Sequence, residues 1–374
     1  MIYLDNAATT KLNEEVKKTI IKLYDSYYMN ADSPYLPAVN INNLQEEARN
    51  KLACLLNVQS HELIYTSCGS EANNMAIKGI AFKYLNRGNY HLVTSAIEHS
   101  SVYETMKQLE SLGFEVTYLK PNRYGQISNA DILASLKDNT ILVSIMKINS
   151  EIGAINDVEA IYDAIKAKNK QIMVHIDYVQ AFGKYDLNLA KCDLGSFSAH
   201  KINGVKGSGL LYKKSKVTIL PLISGGQQEF HLRAGTSNYF YNIALTKTLR
   251  LFIEQRQQAK SKERFAYAYE LLASEPRLHL NSQKQDNSYF IINFSLPGYK
   301  PEVILNALEQ KKIYLSTKSA CSSKVKRSRV MDNLALADEL KDSAFRISFD
   351  LATSKEEIKI FYDELVKILD EIVK

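Results

Sequence analysis

The sequence predicts an α/β fold. Short apolar strands alternate with amphipathic helices between residues 63 and 176, and several strands run straight into small polar residues. A chain of 374 residues is also long enough to bury a large core in one domain or two. Ile2 to Leu4 reads as a short strand entering Asp5, Asn6, Ala7 and Ala8, which are small enough to let a ligand approach. Asn13 is a good N-cap for a helix carrying Val16, Ile20 and Leu23. A loop with Pro34 and Pro37 follows, then a helix carrying Leu44, Ala48, Leu52 and Leu55. Strand Leu63–Thr66 passes through Ser67-Cys68-Gly69-Ser70 into a helix from Glu71 to about Leu85. Strands at Leu92–Ser95, Val116–Leu119 and Ile141–Ile148 precede helices at Val102–Leu112, Ile132–Leu136 and Val158–Ala167. Strand Ile172–Ile176 ends at Asp177, and Gly209–Tyr212 is a further strand.

From Tyr239 the pattern is helical as far as Leu272, a long connector toward a smaller C-terminal unit. That unit shows strands Tyr289–Phe294 and Phe345–Phe349, a helix Glu302–Leu308, and a last helix opened by the capping box of Ser354 and Glu357. The division expected is a large domain of residues 16–250 and a small domain built from residues 1–15 and 251–374.

Composition is that of an ordinary globular protein, 45% apolar and 24% charged. The net charge of +6 comes from lysines spread along the chain, so a solvated surface explains it better than direct nucleic-acid binding. No apolar run approaches membrane-spanning length, and the N-terminus lacks the pattern of a secretory signal. Cys54, Cys68, Cys192 and Cys321 show no paired spacing, which argues against zinc and disulfide frameworks. Free thiols fit a cytoplasmic protein, with Cys54, Cys68 and Cys192 expected as core or lining residues.

Chemistry centres on Ser198 to Tyr212, SAHKINGVKGSGLLY. Gly204, Gly207 and Gly209 let the backbone bend closely, Ser198 and His200 can donate to an anion, and Lys201 is an amine among them. The P-loop pattern is absent. A lysine flanked by phosphate-type donors suggests a Schiff base to pyridoxal 5'-phosphate (PLP). Gly69 and Ser70, where a strand turns into a helix, suit a phosphate, although a serine N-cap would account for them alone. Asp177 closes the run IMVHI and could keep a pyridine nitrogen protonated, with Gln180 placed to reach a ring hydroxyl; a turn-capping Asp is the plainer alternative. His99 follows strand Leu92–Ser95 and could stack on a ring and shuttle protons, or be structural. Arg346 opens the strand AFRISF and matches a substrate carboxylate, or a structural ion pair. Cys321 lies in a small, basic loop whose lysines would favour the thiolate, although exposure screens them and an incidental loop cysteine is the plainer alternative.

With these residues placed, the chain resembles the cysteine desulfurases, in the class V aminotransferase group of fold-type I PLP enzymes. The resemblance rests on YLDNAATT, TSCGSEANNMAIKG, the EH of IEHSSV, NSEIGAIND, HIDYVQAFGK, SAHKINGVKGSGLLY, GGQQEFHLRAGTSN, SACSS and FRISF in this order. It implies a large domain with a mostly parallel seven-stranded sheet and a smaller α+β domain. It implies that Lys201 holds PLP; that Gly69, Ser70, Ser198, His200 and, from the other subunit of a homodimer, Thr236 bind its phosphate; and that Asp177, Gln180, His99 and Ser150 meet the ring. Asn6 and Arg346 are the implied substrate-binding residues, and Cys321 the nucleophile that becomes a persulfide. The implied reaction converts L-cysteine to L-alanine and passes sulfur to an acceptor protein, an iron–sulfur scaffold or a tRNA-thiolation enzyme. No metal is implied. The spacing from Cys321 to Arg346 resembles the members with a long cysteine loop.

Five departures stand out, one of them an early loop that lacks the family's usual His and Gly. Ser150 replaces a usual Asn, Tyr178 a usual Ala, and Cys68 and Lys318 usual glycines. They are expected to change rate or substrate access, not to abolish function. A selenocysteine lyase or another class V aminotransferase is the competing enzyme, and a non-catalytic sulfur-carrier or scaffold paralogue the competing non-enzyme.

Overall fold

A computed structural model describes residues 1–317 and 327–372. Strand β1 (Ile2–Tyr3) leads to helices α1 (Glu14–Ser26) and α2 (Leu36–Leu56). The alternation follows as β2 (Leu63–Thr66), α3 (Gly69–Ala81), β3 (His91–Ser95), α4 (Ser100–Ser111) and β4 (Glu115–Leu119). It continues as α5 (Asn129–Ser135), β5 (Thr140–Met146), α6 (Val158–Lys168) and β6 (Met173–Asp177), then β7 (Leu194–Ser198) and β8 (Gly209–Lys213). Helices α7 (Tyr239–Gln258) and α8 (Ser261–Ala273) lead to β9 (His279–Leu280), β10 (Ile291–Ser295), α9 (Pro301–Gln310) and β11 (Ile313–Tyr314). The chain closes with α10 (Arg329–Asp332), α11 (Asp338–Asp342), β12 (Ala344–Ser348) and α12 (Lys355–Glu371).

Strands β2 to β8 form one seven-stranded sheet in the order β2-β8-β7-β6-β5-β3-β4. Only β8 pairs antiparallel to its neighbours. Helices cover the sheet, so β3, β5 and β7 are buried along their whole length. This double burial is why most of these strands read as apolar runs. Strand β7 escapes that pattern. Its Leu-Gly-Ser-Phe-Ser carries two large apolar residues, and it becomes a strand by pairing with β6 on one edge and β8 on the other.

The polar residues inside the sheet are satisfied across strands. Thr94 Oγ1 donates to the Ser144 carbonyl at 2.9 Å; the His175 ring bonds Ser144 Oγ at 2.8 Å and Ser196 Oγ at 2.9 Å. Burial pushes the His175 pKa down to about 3, so its ring is neutral at neutral pH.

A second core gathers the chain's two ends. Ile2 and Leu4 pack with Phe294, Ile304, Phe345 and Phe361. Strand β1 pairs parallel with β11, and β9, β10 and β12 form a three-stranded antiparallel sheet. Both expected caps form: Asn13 accepts from Glu15 and Val16 amides, and Ser354 with Glu357 makes the capping box of α12. The helical stretch expected to run from Tyr239 to Leu272 is two helices, broken at Ala259 and Lys260. On α2, Leu55 and Cys54 face outward, and Ile41, Gln45, Ala48 and Leu52 form the buried stripe. No helix among the described residues is long and apolar enough to cross a membrane.

Candidate active site

The carboxyl ends of β2, β3, β5, β6 and β7 converge on one cavity of about 250 Å³. The loop after β1 covers part of it. Thr10 ties that loop down: its amide and its hydroxyl donate to the His200 carbonyl, each at 2.9 Å, and its Oγ1 accepts from the Asn203 amide at 2.7 Å.

Lys201 follows β7 in a short turn and lines the cavity, as do Ser198 and His200. Its Nζ donates to the Ala7 and Ala8 carbonyls at 2.6 and 2.7 Å. His200 bonds Thr9 Oγ1 through Nδ1 at 3.1 Å. Burial, followed by the charge of Lys201, pushes His200 down to about 4, so it meets an anion as a neutral donor.

Gly69 and Ser70 open α3 with their amides free of helical partners, the arrangement that attracts an anion. A Cβ on Gly69 would lie 2.7 Å from Val179 Cγ2 and 3.4 Å from Ser198 Cβ, so only glycine leaves this corner open. Glu71 would repel an anion here, but Arg233 Nε donates to its Oε1 at 2.8 Å and the Ser67 amide to its Oε2 at 2.8 Å. Ser198 is 1% exposed, and its Oγ has no hydrogen-bond partner among the described residues. A buried hydroxyl at the edge of an anion cradle is the group a phosphate would satisfy.

Asp177, the last residue of β6, points into the cavity floor. Its Oδ1 accepts from the Val179 amide at 2.9 Å and its Oδ2 from Asn73 Nδ2 at 2.8 Å. The same Asn73 nitrogen donates to Ser101 Oγ at 2.9 Å, which meets His99 Nδ1 at 2.8 Å. The Ser101 amide also donates to His99 Nδ1, at 3.1 Å. His99 Nδ1 is therefore an acceptor, and burial holds the ring below its usual pKa, so it is neutral with its proton on Nε2. Glu98 fixes the turn beneath it, taking Ser95 Oγ at 2.6 Å and the Met146 amide at 3.1 Å, and burial pushes its carboxyl up to about 8.

Arg346 is 1% exposed and lines the cavity from β12. Its Nη1 donates to the Ser150 carbonyl at 2.8 Å and its Nη2 to Asp5 Oδ1 at 2.6 Å. Ser150 lines the cavity beside it. Gln180 lines the opposite wall, its Nε2 donating to the Ala7 carbonyl at 3.0 Å. Two candidates from the sequence are not brought to the cavity. Asn6 spends its amide nitrogen on the Tyr3 and Ser348 carbonyls at 3.1 and 3.0 Å. Thr236 is exposed on the loop before α7, whose base is pinned by the Arg49–Glu229 pair at 2.8 Å. Cys321 and Lys318 lie outside the described residues.

The departures divide. Cys68 lines the cavity at the N-cap of α3. Tyr178 does not: it is fully buried on the other side of β6, stacked on Phe197 with centroids 5.6 Å apart. Gly195 makes room for it, since a Cβ there would lie 3.2 Å from the ring. The ring thus fills core and does not line the cavity. Asn73, Ser101 and Glu98 were not legible as site residues, because polar residues in a helix or turn carry no periodic signal.

The comparisons with known proteins match this arrangement along the whole chain. The Aminotransferase class-V family model matches residues 2–361. A NifS/IcsS protein homolog of Lactobacillus delbrueckii subsp. bulgaricus is 37% identical, covering 100% of this chain and 97% of that one. The cysteine desulfurase IscS of Dictyoglomus turgidum is 36% identical, over 99% and 95%. Among solved structures, a NifS-like protein superposes with a TM-score of 0.93 at 31% identity, over 99% of this chain and 100% of that one. SspA in complex with cysteine gives 0.82 at 30%, over 93% and 99%. Family model, relatives and superposed structures agree from end to end: the chain belongs to the class-V aminotransferase family and groups there with the cysteine desulfurases.

Proposed function

We propose that the cavity binds PLP on Lys201 and removes sulfur from L-cysteine, releasing L-alanine. The observation that carries the cofactor is the pairing of an orphaned, buried Ser198 Oγ with the open α3 N-terminus, one turn of chain before an amine. The donor set fits the group. Gly69, Ser70, Ser198 and His200 would hold the phosphate, Asp177 would meet the ring nitrogen, Gln180 the ring hydroxyl, and His99 the ring face. Bound there, PLP supplies an electron sink for charge developing at the substrate Cα.

The chain's own residues do the rest. Arg346 takes the substrate carboxylate, which competes with Asp5 for the guanidinium. Lys201 Nζ, freed from the Ala7 and Ala8 carbonyls, takes the Cα proton. Asp177, held by Asn73 and the Val179 amide, would present its carboxyl group to the ring nitrogen. His99, neutral with its proton on Nε2, can pass that proton toward the departing sulfur or the product carbon. Cys321 accepts the sulfur as a persulfide. The chain acts as a homodimer in which each Thr236 completes the other subunit's phosphate site. The sulfur then goes to an acceptor protein in the cytoplasm, an iron–sulfur scaffold or a tRNA-thiolation enzyme.

The test is an assay of sulfide and alanine from L-cysteine with a thiol reductant. Equal amounts of both products, abolished by Lys201→Ala, support the reading. Alanine formed from selenocysteine but not from cysteine would replace it with a lyase.

A further inference from the structure

Lys184 is a buried cation that nothing above uses. It is 6% exposed, and among the described residues no carboxylate lies within 4.0 Å of its Nζ. Its ammonium sits over the Phe290 ring, 5.4 Å from the centroid. Among the described residues its one side-chain hydrogen bond goes to Gln180 Oε1, at 3.2 Å. The charged groups that face it are Asp350, which favours its charge, and Arg346, which opposes it. Asp350 is occupied elsewhere, accepting from Asn203 Nδ2 at 2.9 Å and the Leu351 amide at 2.7 Å. Burial pushes the Lys184 pKa down to about 8, which leaves it cationic at neutral pH. A buried, unpaired cation is costly, so the fold keeps it at the expense of stability.

Its geometry points at one side chain. The turn after β6 places Gln180 and Lys184 four residues apart on the same face, with the Lys184 amide bonded to the Ala181 carbonyl at 3.0 Å. A glutamine amide has one acceptor end and one donor end. Here Lys184 meets the acceptor end, while the Ala7 carbonyl, which also accepts from Lys201 Nζ at 2.6 Å, meets the donor end at 3.0 Å. Flipping the amide would set donor against donor at Lys184 and acceptor against acceptor at Ala7. The orientation is fixed, and Nε2, on a side chain that lines the cavity, has a second N–H besides the one given to Ala7.

We propose that Lys184 is a positioning residue that locks the Gln180 amide with its donor end toward the cavity, so that the bound ring's oxygen meets a donor polarised by the charge behind it. The proposal rests on the PLP reading above and adds to it a residue that touches neither cofactor nor substrate.

The experiment titrates full-length apo-proteins with PLP and reads the dissociation constant and the visible absorption of the bound cofactor. Lys184→Met keeps the volume of the side chain and removes its donor. It should weaken PLP binding by about tenfold, one hydrogen bond to a charged partner, and displace the visible band or its pH midpoint. Gln180→Leu should do the same, and the double variant should bind within about twofold of Gln180→Leu, because Lys184 acts through Gln180. The apo Lys184→Met protein should melt no lower than wild type. A dissociation constant and band equal to wild type, or losses that multiply in the double variant, would overturn the proposal. Gln180→Glu serves if Lys184→Met does not fold. A carboxylate facing Lys184 should raise the apo melting temperature and weaken PLP binding. A lowered melting temperature would show that the cation does not face residue 180. A wild-type protein that takes up no PLP overturns the cofactor reading itself, a result separate from any change at Lys184.

Discussion

Ser198→Ala should separate cofactor binding from folding in opposite directions. The hydroxyl is fully buried and has no hydrogen-bond partner among the described residues, so the apo fold gains nothing from it. Leaving a buried polar group unsatisfied costs about 1–3 kcal/mol, so its removal should leave the apo-protein as stable as wild type or about 1 kcal/mol more so. With PLP bound the sign reverses. A hydrogen bond to a charged group contributes about 1.5–3 kcal/mol. At about 1.4 kcal/mol per tenfold, losing it weakens PLP binding by about 10- to 150-fold. Urea denaturation of the apo-protein and a PLP titration by absorbance measure the two arms. A PLP affinity within twofold of wild type would refute the placement of the phosphate at Ser198. An apo-protein destabilised by more than about 1 kcal/mol would show that the hydroxyl is held by the protein after all.

Other outcomes follow from the same geometry. Arg346→Gln should raise the KM for L-cysteine by about 10- to 100-fold with a smaller change in kcat, as expected for loss of a charge-assisted carboxylate contact in steady-state kinetics. Stability should fall with acid because His175 is held neutral at a pKa of about 3, whereas the unfolded chain takes up its proton near the ordinary value of 6.5. The stabilisation is complete above pH 6.5 and is lost progressively below it, by about 2 kcal/mol at pH 5; urea curves should show a smaller drop in His175→Gln, which does not titrate. Tyr178→Ala should cost about 3–5 kcal/mol in denaturation while leaving PLP affinity within about twofold, because the ring fills core behind β6.

Much of this was legible in the residues, for a physical reason. Strands buried on both faces must be apolar along their length, so β2, β3, β5 and β6 announce themselves. The candidate residues then sit where those strands stop, which is why Asp177, His99, Gly69 and Ser70 could be singled out, although each alone also fitted a cap or a structural group. What failed to show is held by pairing and not by pattern. Strand β7 is half small or polar residues and depends on its two neighbours for its backbone bonds. Asn73, within α3, looks like any surface asparagine until the fold brings Asp177 and Ser101 to it. Tyr178 is a different case. Side chains alternate across a strand, so the neighbour of a cavity-facing Asp177 points away from the cavity, and the period of two contained that answer. Lys184 closes the motif HIDYVQAFGK yet showed no role of its own: a lysine in a turn reads as solvated, and only the fold buries it, with its ammonium over Phe290.

The central claim is that an amine on Lys201 and a thiol on Cys321 divide one reaction. A single-turnover experiment tests it most directly: PLP-loaded protein is mixed with one equivalent of L-cysteine without reductant, and alanine and protein-bound persulfide are measured together. Wild type should give one alanine and one persulfide per site, Lys201→Ala neither, and Cys321→Ala a cofactor-loaded protein that forms no persulfide. Persulfide appearing undiminished in Cys321→Ala, or alanine formed at the wild-type rate by Lys201→Ala, would contradict it.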